Sequence, residues 1–236
     1  MKFDVFLETG PKHRKSMTHV PSLAGTTAMG ETTEIALEKT HDAIRERIAF
    51  LRRHGEEHQD PDPIELDVAE EDTTTGWLGF AVGVFGPDLE PIPPRELERQ
   101  VRWAEWSREE LIEAAKAQRG GLRSGPPGKG RTPAEILAHV AGSERAYLNS
   151  VVGPVEGLND AIKQVEKAPD DPWDGLAAAR AILLARIRAM TPAERRAVVA
   201  RGKERRTARR MLRRTLEHEW EHVLELRSRL PAKAPR

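Results

Sequence analysis

The sequence predicts an α+β domain of order β-β-β-α-β followed by an all-α four-helix bundle. Three observations predict it. Residues 1–72 mix short runs of β-branched and aromatic residues with a single helical repeat. From Pro94 onward, apolar residues recur three and four apart along four long stretches. Between them, residues 76–95 are broken by glycines and prolines, which interrupt any long helix. The division expected is a domain over 1–75, a connection over 76–92, a bundle over 93–230 and a tail over 231–236.

The first element is Lys2-Phe3-Asp4-Val5-Phe6-Leu7, strand-like in its β-branched and aromatic content. A second run, Ser16-Met17-Thr18-His19-Val20, ends at Pro21, and Thr26-Thr27-Ala28-Met29 sits between Gly25 and Gly30. Thr32 then opens a helix. Ile35, Ala36, Thr40, Ala43, Ile44, Ile48 and Leu51 mark its stripe until Gly55 stops it. Ile64-Glu65-Leu66-Asp67-Val68 alternates apolar and acidic residues, as a half-buried strand does. In the connection, Trp77, Phe80 and Phe85 are too apolar for a free linker, so it is expected to pack against one domain.

Helix one of the bundle is expected over 94–119, on the stripe Leu97, Val101, Ala104, Leu111 and Ala115, ending at Gly120-Gly121. Thr132-Pro133-Ala134-Glu135 is a capping box with proline at the first helical position, and it starts helix two, which runs to about Val152. A long irregular segment leads to Trp173. Helix three carries Leu176, Leu183, Ile187 and Met190. Thr191-Pro192-Ala193-Glu194 repeats the start signal for a short helix, and helix four spans about 204–229, before Pro231. One connection of about 20 residues fits a bundle with a crossover.

Composition narrows the chemistry. The 236 residues carry no net formal charge, so nothing global points to nucleic acid or membrane. There is no cysteine, which removes disulfides, iron–sulfur clusters, thiolate zinc sites and cysteine nucleophiles. Any thiol chemistry would need a thiol brought in by a cofactor. The start, MKFDVFLETG, lacks a basic region followed by an apolar run, and no stretch is long and apolar enough to span a bilayer. A soluble cytoplasmic protein is the expectation.

The histidines carry the functional signal. His218 and His222 are four apart in the last helix, which puts two imidazoles on one face about a turn apart. His139 lies on helix two, at the edge of a core side read as Ile136, Val140, Ser143, Tyr147 and Val151. All three fall at the boundary of their helix's core stripe, positioned to face a neighbouring helix. Three imidazoles make a site with open positions, suited to zinc, nickel, copper or iron(II). The bland alternative is that each is a half-buried packing residue, which is the commoner fate of a lone histidine. His13, His19, His41, His54 and His58 are read as surface or packing residues.

Two resemblances follow from these residues. Val20-Pro21-Ser22-Leu23-Ala24-Gly25, then Gly30-Glu31-Thr32, Ala36-Leu37 and Arg52-Arg53-His54-Gly55-Glu56 resemble the HicB-like antitoxin domain. With no DNA-binding segment in view, that likeness implies a partner-binding or oligomerising module. Residues 93–230 resemble the DinB/YfiT-like metalloenzymes. The likeness rests on Leu137-Ala138-His139-Val140-Ala141-Gly142-Ser143-Glu144 and Leu216-Glu217-His218-Glu219-Trp220-Glu221-His222. It implies a divalent metal, nickel or zinc, on His139, His218 and His222. It also implies a transferase- or hydrolase-type reaction on a small-molecule substrate with a low-molecular-weight thiol such as bacillithiol or mycothiol. The alternative is a non-catalytic, HicB-type regulatory protein with a protein partner, or a homo-oligomer.

Two further patterns compete. His218-Glu219-Trp220-Glu221-His222 also satisfies the His-Glu-x-x-His pattern of zinc peptidases. Those enzymes usually take a third ligand downstream, but only 14 residues follow His222 and Glu225 lies on the same helix. Glu219 is therefore read either as a carboxylate that orients an imidazole or holds water, or as an interior carboxylate paired with an arginine. Residues 201–214 carry eight basic side chains, read as a solvated face or inter-domain ion pairs rather than a nucleic-acid surface.

Overall fold

The computed structural model describes residues 1–10, 15–73, 83–126, 130–201 and 204–231. His13, Trp77, Phe80, Lys203 and all but the first residue of the expected tail lie outside them. Two compact units form, one from Met1–Pro94 with Pro192–Glu217 and the other from Arg95–Thr191 with His218–Arg236.

The first unit opens with β1 (Lys2–Thr9), β2 (Ser16–His19) and β3 (Thr27–Gly30), then α1 (Thr33–Arg53) and β4 (Glu65–Asp72). This is the expected β-β-β-α-β order. The strands lie in the order β3-β2-β1-β4. β2 runs antiparallel to both neighbours, with Phe6 opposite His19 and Ser16 opposite Gly30, while β4 runs parallel to β1. The parallel pair needs a crossover, and α1 lies on it. Thr32 caps α1 by accepting from the Ile35 amide. Gly30 is required where strand meets helix, since a Cβ there would lie 2.4 Å from the Ala36 nitrogen. Val5, Leu7, Val20, Ile44, Phe50 and Leu51 are buried in this unit, and Thr18 faces α1 with its hydroxyl 2.6 Å from that of Thr40, while Met17 is buried on the opposite face of the sheet. β4 is an edge strand, and Val68 is 44% exposed where a half-buried alternation was expected. Phe85 and Ile92 are fully packed, so the described part of the connection is core rather than linker.

This unit also holds α6 (Pro192–Arg196), the hairpin of β5 (Val199–Arg201) and β6 (Glu204–Arg206), and the start of α7 (Ala208–Ser228). β6 replaces the first turn expected of helix four. Of the two readings of the arginine run, the solvated face fails for its second half, where ion pairs form. Arg210, Arg213 and Arg214 are buried, not solvated. Arg213 donates to Asp88 at 2.7 Å and to the Gly83 carbonyl at 3.1 Å, and Arg214 donates to Glu217 at 2.6 Å. Arg210 donates to the Gly83 carbonyl at 3.0 Å. His19, 1% exposed, sits in the same network, 3.0 Å from Glu217 and 3.4 Å from Glu8. Buried charge is tolerable when it is paired and hydrogen-bonded in this way.

The second unit is helical. It contains α2 (Pro94–Lys116, from Arg95), α3 (Pro133–Val152), α4 (Leu158–Lys167), α5 (Trp173–Arg188) and the end of α7. The stripe expected of α2 is buried throughout, as are Leu176, Leu183, Ile187 and Met190. On α3 the expected Ile136 and Val140 are fully buried, but Ser143, Tyr147 and Val151 are only half-buried, and Leu137, Ala141, Glu144 and Leu148 complete the buried face instead. The segment expected to be irregular before Trp173 contains α4, with Leu158, Ala161, Ile162 and Val165 buried along one face. No described helix is long and apolar enough to cross a membrane.

Candidate metal centre

The start of α3 is fixed by a reciprocal cap. Thr132 accepts from the Glu135 amide at 3.2 Å, and Glu135 accepts from the Thr132 amide at 2.7 Å. Two turns later His139 meets α7. Its Nε2 lies 3.1 Å from Nε2 of His218. The His139 and His222 rings stand 5.2 Å apart, and His218 lies 4.8 Å from each, all edge-on. One ligand nitrogen from each of the three falls within 4.8 Å of the others. Tyr147, two turns beyond His139, sets its ring 6.0 Å from that of His218.

The electrostatics favour neutral imidazoles. Burial, helped by the nearby Arg131 and His222, pulls His139 down to about 4. Burial also lowers His222, against the opposing pull of Glu225. Histidine binds metal through a neutral ring, so both are held in the ligand form at neutral pH. His222 Nδ1 lies 2.7 Å from Glu225, whose other oxygen is taken by Arg229. Arg229 in turn donates to the Arg131 carbonyl at 2.9 Å.

The separation of His139 and His218 fits two ligands of one divalent ion, with His222 in the same cluster. Two imidazole nitrogens held at about 2.0–2.1 Å from one ion lie roughly 2.9 Å apart at a right angle and roughly 3.4 Å apart at the tetrahedral angle. The observed 3.1 Å between His139 and His218 falls within that interval. With no thiolate in the chain, the donor set is nitrogen alone, which suits zinc or nickel better than a calcium-type ion.

Glu219 is placed elsewhere. Arg108 Nε donates to one of its oxygens at 2.5 Å and Arg180 to the other at 2.7 Å. Glu144 accepts from a second nitrogen of each guanidinium, from Arg108 at 2.8 Å and from Arg180, which also donates to the Ala104 carbonyl. One residue from each of α2, α3, α5 and α7 thus closes a charge-neutral ring, with every member at most 7% exposed. This is the interior-carboxylate reading of Glu219, and with both oxygens engaged it is at odds with a water-activating base in a peptidase. Sequence reasoning missed Arg108 and Arg180, and it weighed Glu225 only as a third ligand, not as the partner of His222. Glu144 entered the sequence reading only as the end of the Leu137–Glu144 stretch, with no arginine partner assigned to it.

The family model for the DinB superfamily matches residues 46–226, a span that includes all three histidines and the whole ring. No family match supports the HicB-like reading of the N-terminal residues. No curated protein and no solved structure matches the chain.

Proposed function

Because the chain belongs to the DinB superfamily, we propose that His139, His218 and His222 together hold one divalent transition-metal ion, nickel or zinc. The observation that carries this is the approach of His139 to His218 at 3.1 Å, Nε2 to Nε2, across two helices. The reaction proposed is of transferase or hydrolase type on a small-molecule substrate, with a low-molecular-weight thiol as co-reactant. A bound divalent ion lowers the pKa of a coordinated thiol or water, which supplies a nucleophile at neutral pH. The protein's own part is to keep His139 and His222 neutral by burial and to bring both of them to His218. The absence of cysteine means that the thiol comes from outside the chain.

Elemental analysis of chelator-washed protein, resupplied with zinc or nickel, tests the reading. One ion per chain, lost in the His139→Ala/His222→Ala variant, is expected, and screening for thiol-dependent turnover follows. No uptake by the wild type sinks the metal reading and the enzyme with it.

The N-terminal residues are proposed as a HicB-like module that binds a protein partner or a second copy. The β-β-β-α-β order and the exposed edge strand β4 favour it. Capture of a defined partner by residues 1–75 tagged within the full chain, or a concentration-dependent dimer, is the expected result.

A further inference from the structure

We infer that Glu225 is a positioning residue of the metal centre, fixing the tautomer and orientation of His222. The inference rests on the proposal that the three histidines hold an ion. A carboxylate only accepts hydrogen bonds, so at 2.7 Å from Glu225 Oε2 the Nδ1 of His222 carries the hydrogen. The lone pair is then on Nε2, the atom a metal needs. The two nitrogens point from opposite edges of the ring, so Glu225 stands away from an ion held on Nε2. A carboxylate behind a ligating histidine raises the basicity of the ligand and locks the ring.

Glu225 is itself anchored. Arg229, one turn on, takes its second oxygen and reaches the Arg131 carbonyl at 2.9 Å, directly before the Thr132 cap of α3. The chain of contacts therefore runs from His222 on α7 to the start of the helix that carries His139. As pairs within one helix at a partly exposed position, His222–Glu225 and Glu225–Arg229 contribute little to stability. Glu225 has a side chain 38% exposed, so no core packing depends on it. Its effect is therefore expected on the metal rather than on the fold.

The test uses the full chain, washed free of metal, with zinc alone titrated against a chromophoric chelator. Wild type, Glu225→Ala, Glu225→Gln and His222→Ala are compared, together with long-range ¹H–¹⁵N spectra of the metal-free histidine rings. Glu225→Ala is expected to weaken zinc binding roughly tenfold to a hundredfold while its unfolding midpoint stays near that of the wild type. Glu225→Gln keeps a carbonyl acceptor and loses less. The metal-free spectrum is expected to show His222 as the Nδ1–H tautomer in wild type and as a mixture in Glu225→Ala. Unchanged affinity in Glu225→Ala overturns the inference. A loss as complete as that of His222→Ala overturns it in favour of direct ligation. A wild type that takes up no zinc removes the metal centre itself, a result read without any variant.

Discussion

Glu219 stands beside His218 in sequence, yet it receives Arg108 from α2 at 2.5 Å and is wholly buried. The residue that a peptidase motif would put to work is instead one corner of a ring joining four helices. Its partner across the ring, Glu144, is five residues beyond His139 on α3, so α3 and α7, which carry the histidine cluster, each also supply a carboxylate to the ring.

Replacing one corner should therefore cost fold rather than metal. Glu219→Gln keeps the shape and leaves two buried guanidiniums sharing one carboxylate, a loss of about 3–5 kcal/mol. Denaturant unfolding measures the loss, and zinc stoichiometry on the folded fraction should stay at the wild-type value. A cost under about 1 kcal/mol would show that the ring does not hold the helices.

Metal uptake should stabilise the chain by mass action, because the unfolded chain does not bring His139 to His218 and His222. Zinc at a hundredfold excess over its dissociation constant is expected to add about 2.7 kcal/mol. Unfolding with zinc and with chelator measures it, and His218→Ala should abolish the difference. A difference that persists in His218→Ala places the ion elsewhere.

The elements most legible in sequence were those with local punctuation. Thr32 and the Thr132–Glu135 box set helix starts through contacts within three residues, and the four-residue spacing of His218 and His222 needs only the helix repeat. What was missed depended on distant partners. Glu144, Arg180 and Arg213 have the side chains of surface residues and are buried only because opposite charges meet them from other elements. β6, a glutamate and two arginines, reads as the start of helix four because its strand character comes only from pairing with β5. α4 begins at Gly157, with no side-chain cap to announce it.

The cap on α3 gives a modest, local prediction. Thr132→Ala removes the acceptor for the Glu135 amide and should cost about 1 kcal/mol. Thr132→Ser, which keeps the acceptor, should restore most of it in the same unfolding assay. A serine variant as weak as alanine would assign the loss to the threonine methyl group.

His19 makes the first unit sensitive to pH. Its ring is 1% exposed, with Glu8 on β1 at 3.4 Å from Nε2 and Glu217 on α7 at 3.0 Å from Nδ1. Arg213 lies 2.9 Å from the same Nδ1, is paired with Asp88, and shares Glu217 with Arg214. Burial disfavours the charged ring and Arg213 repels it, but Glu217 and Glu8 outweigh them and raise His19 above its ordinary 6.5. The folded chain therefore holds this proton to a higher pH than the unfolded chain does. The stability it brings is complete below about 6.5 and fades as the pH climbs through the raised value. Urea midpoints of wild type and His19→Gln, compared from pH 6 to pH 9, should converge as the pH rises. A gap that stays constant or widens means that His19 is neutral in the fold, donating to one glutamate alone.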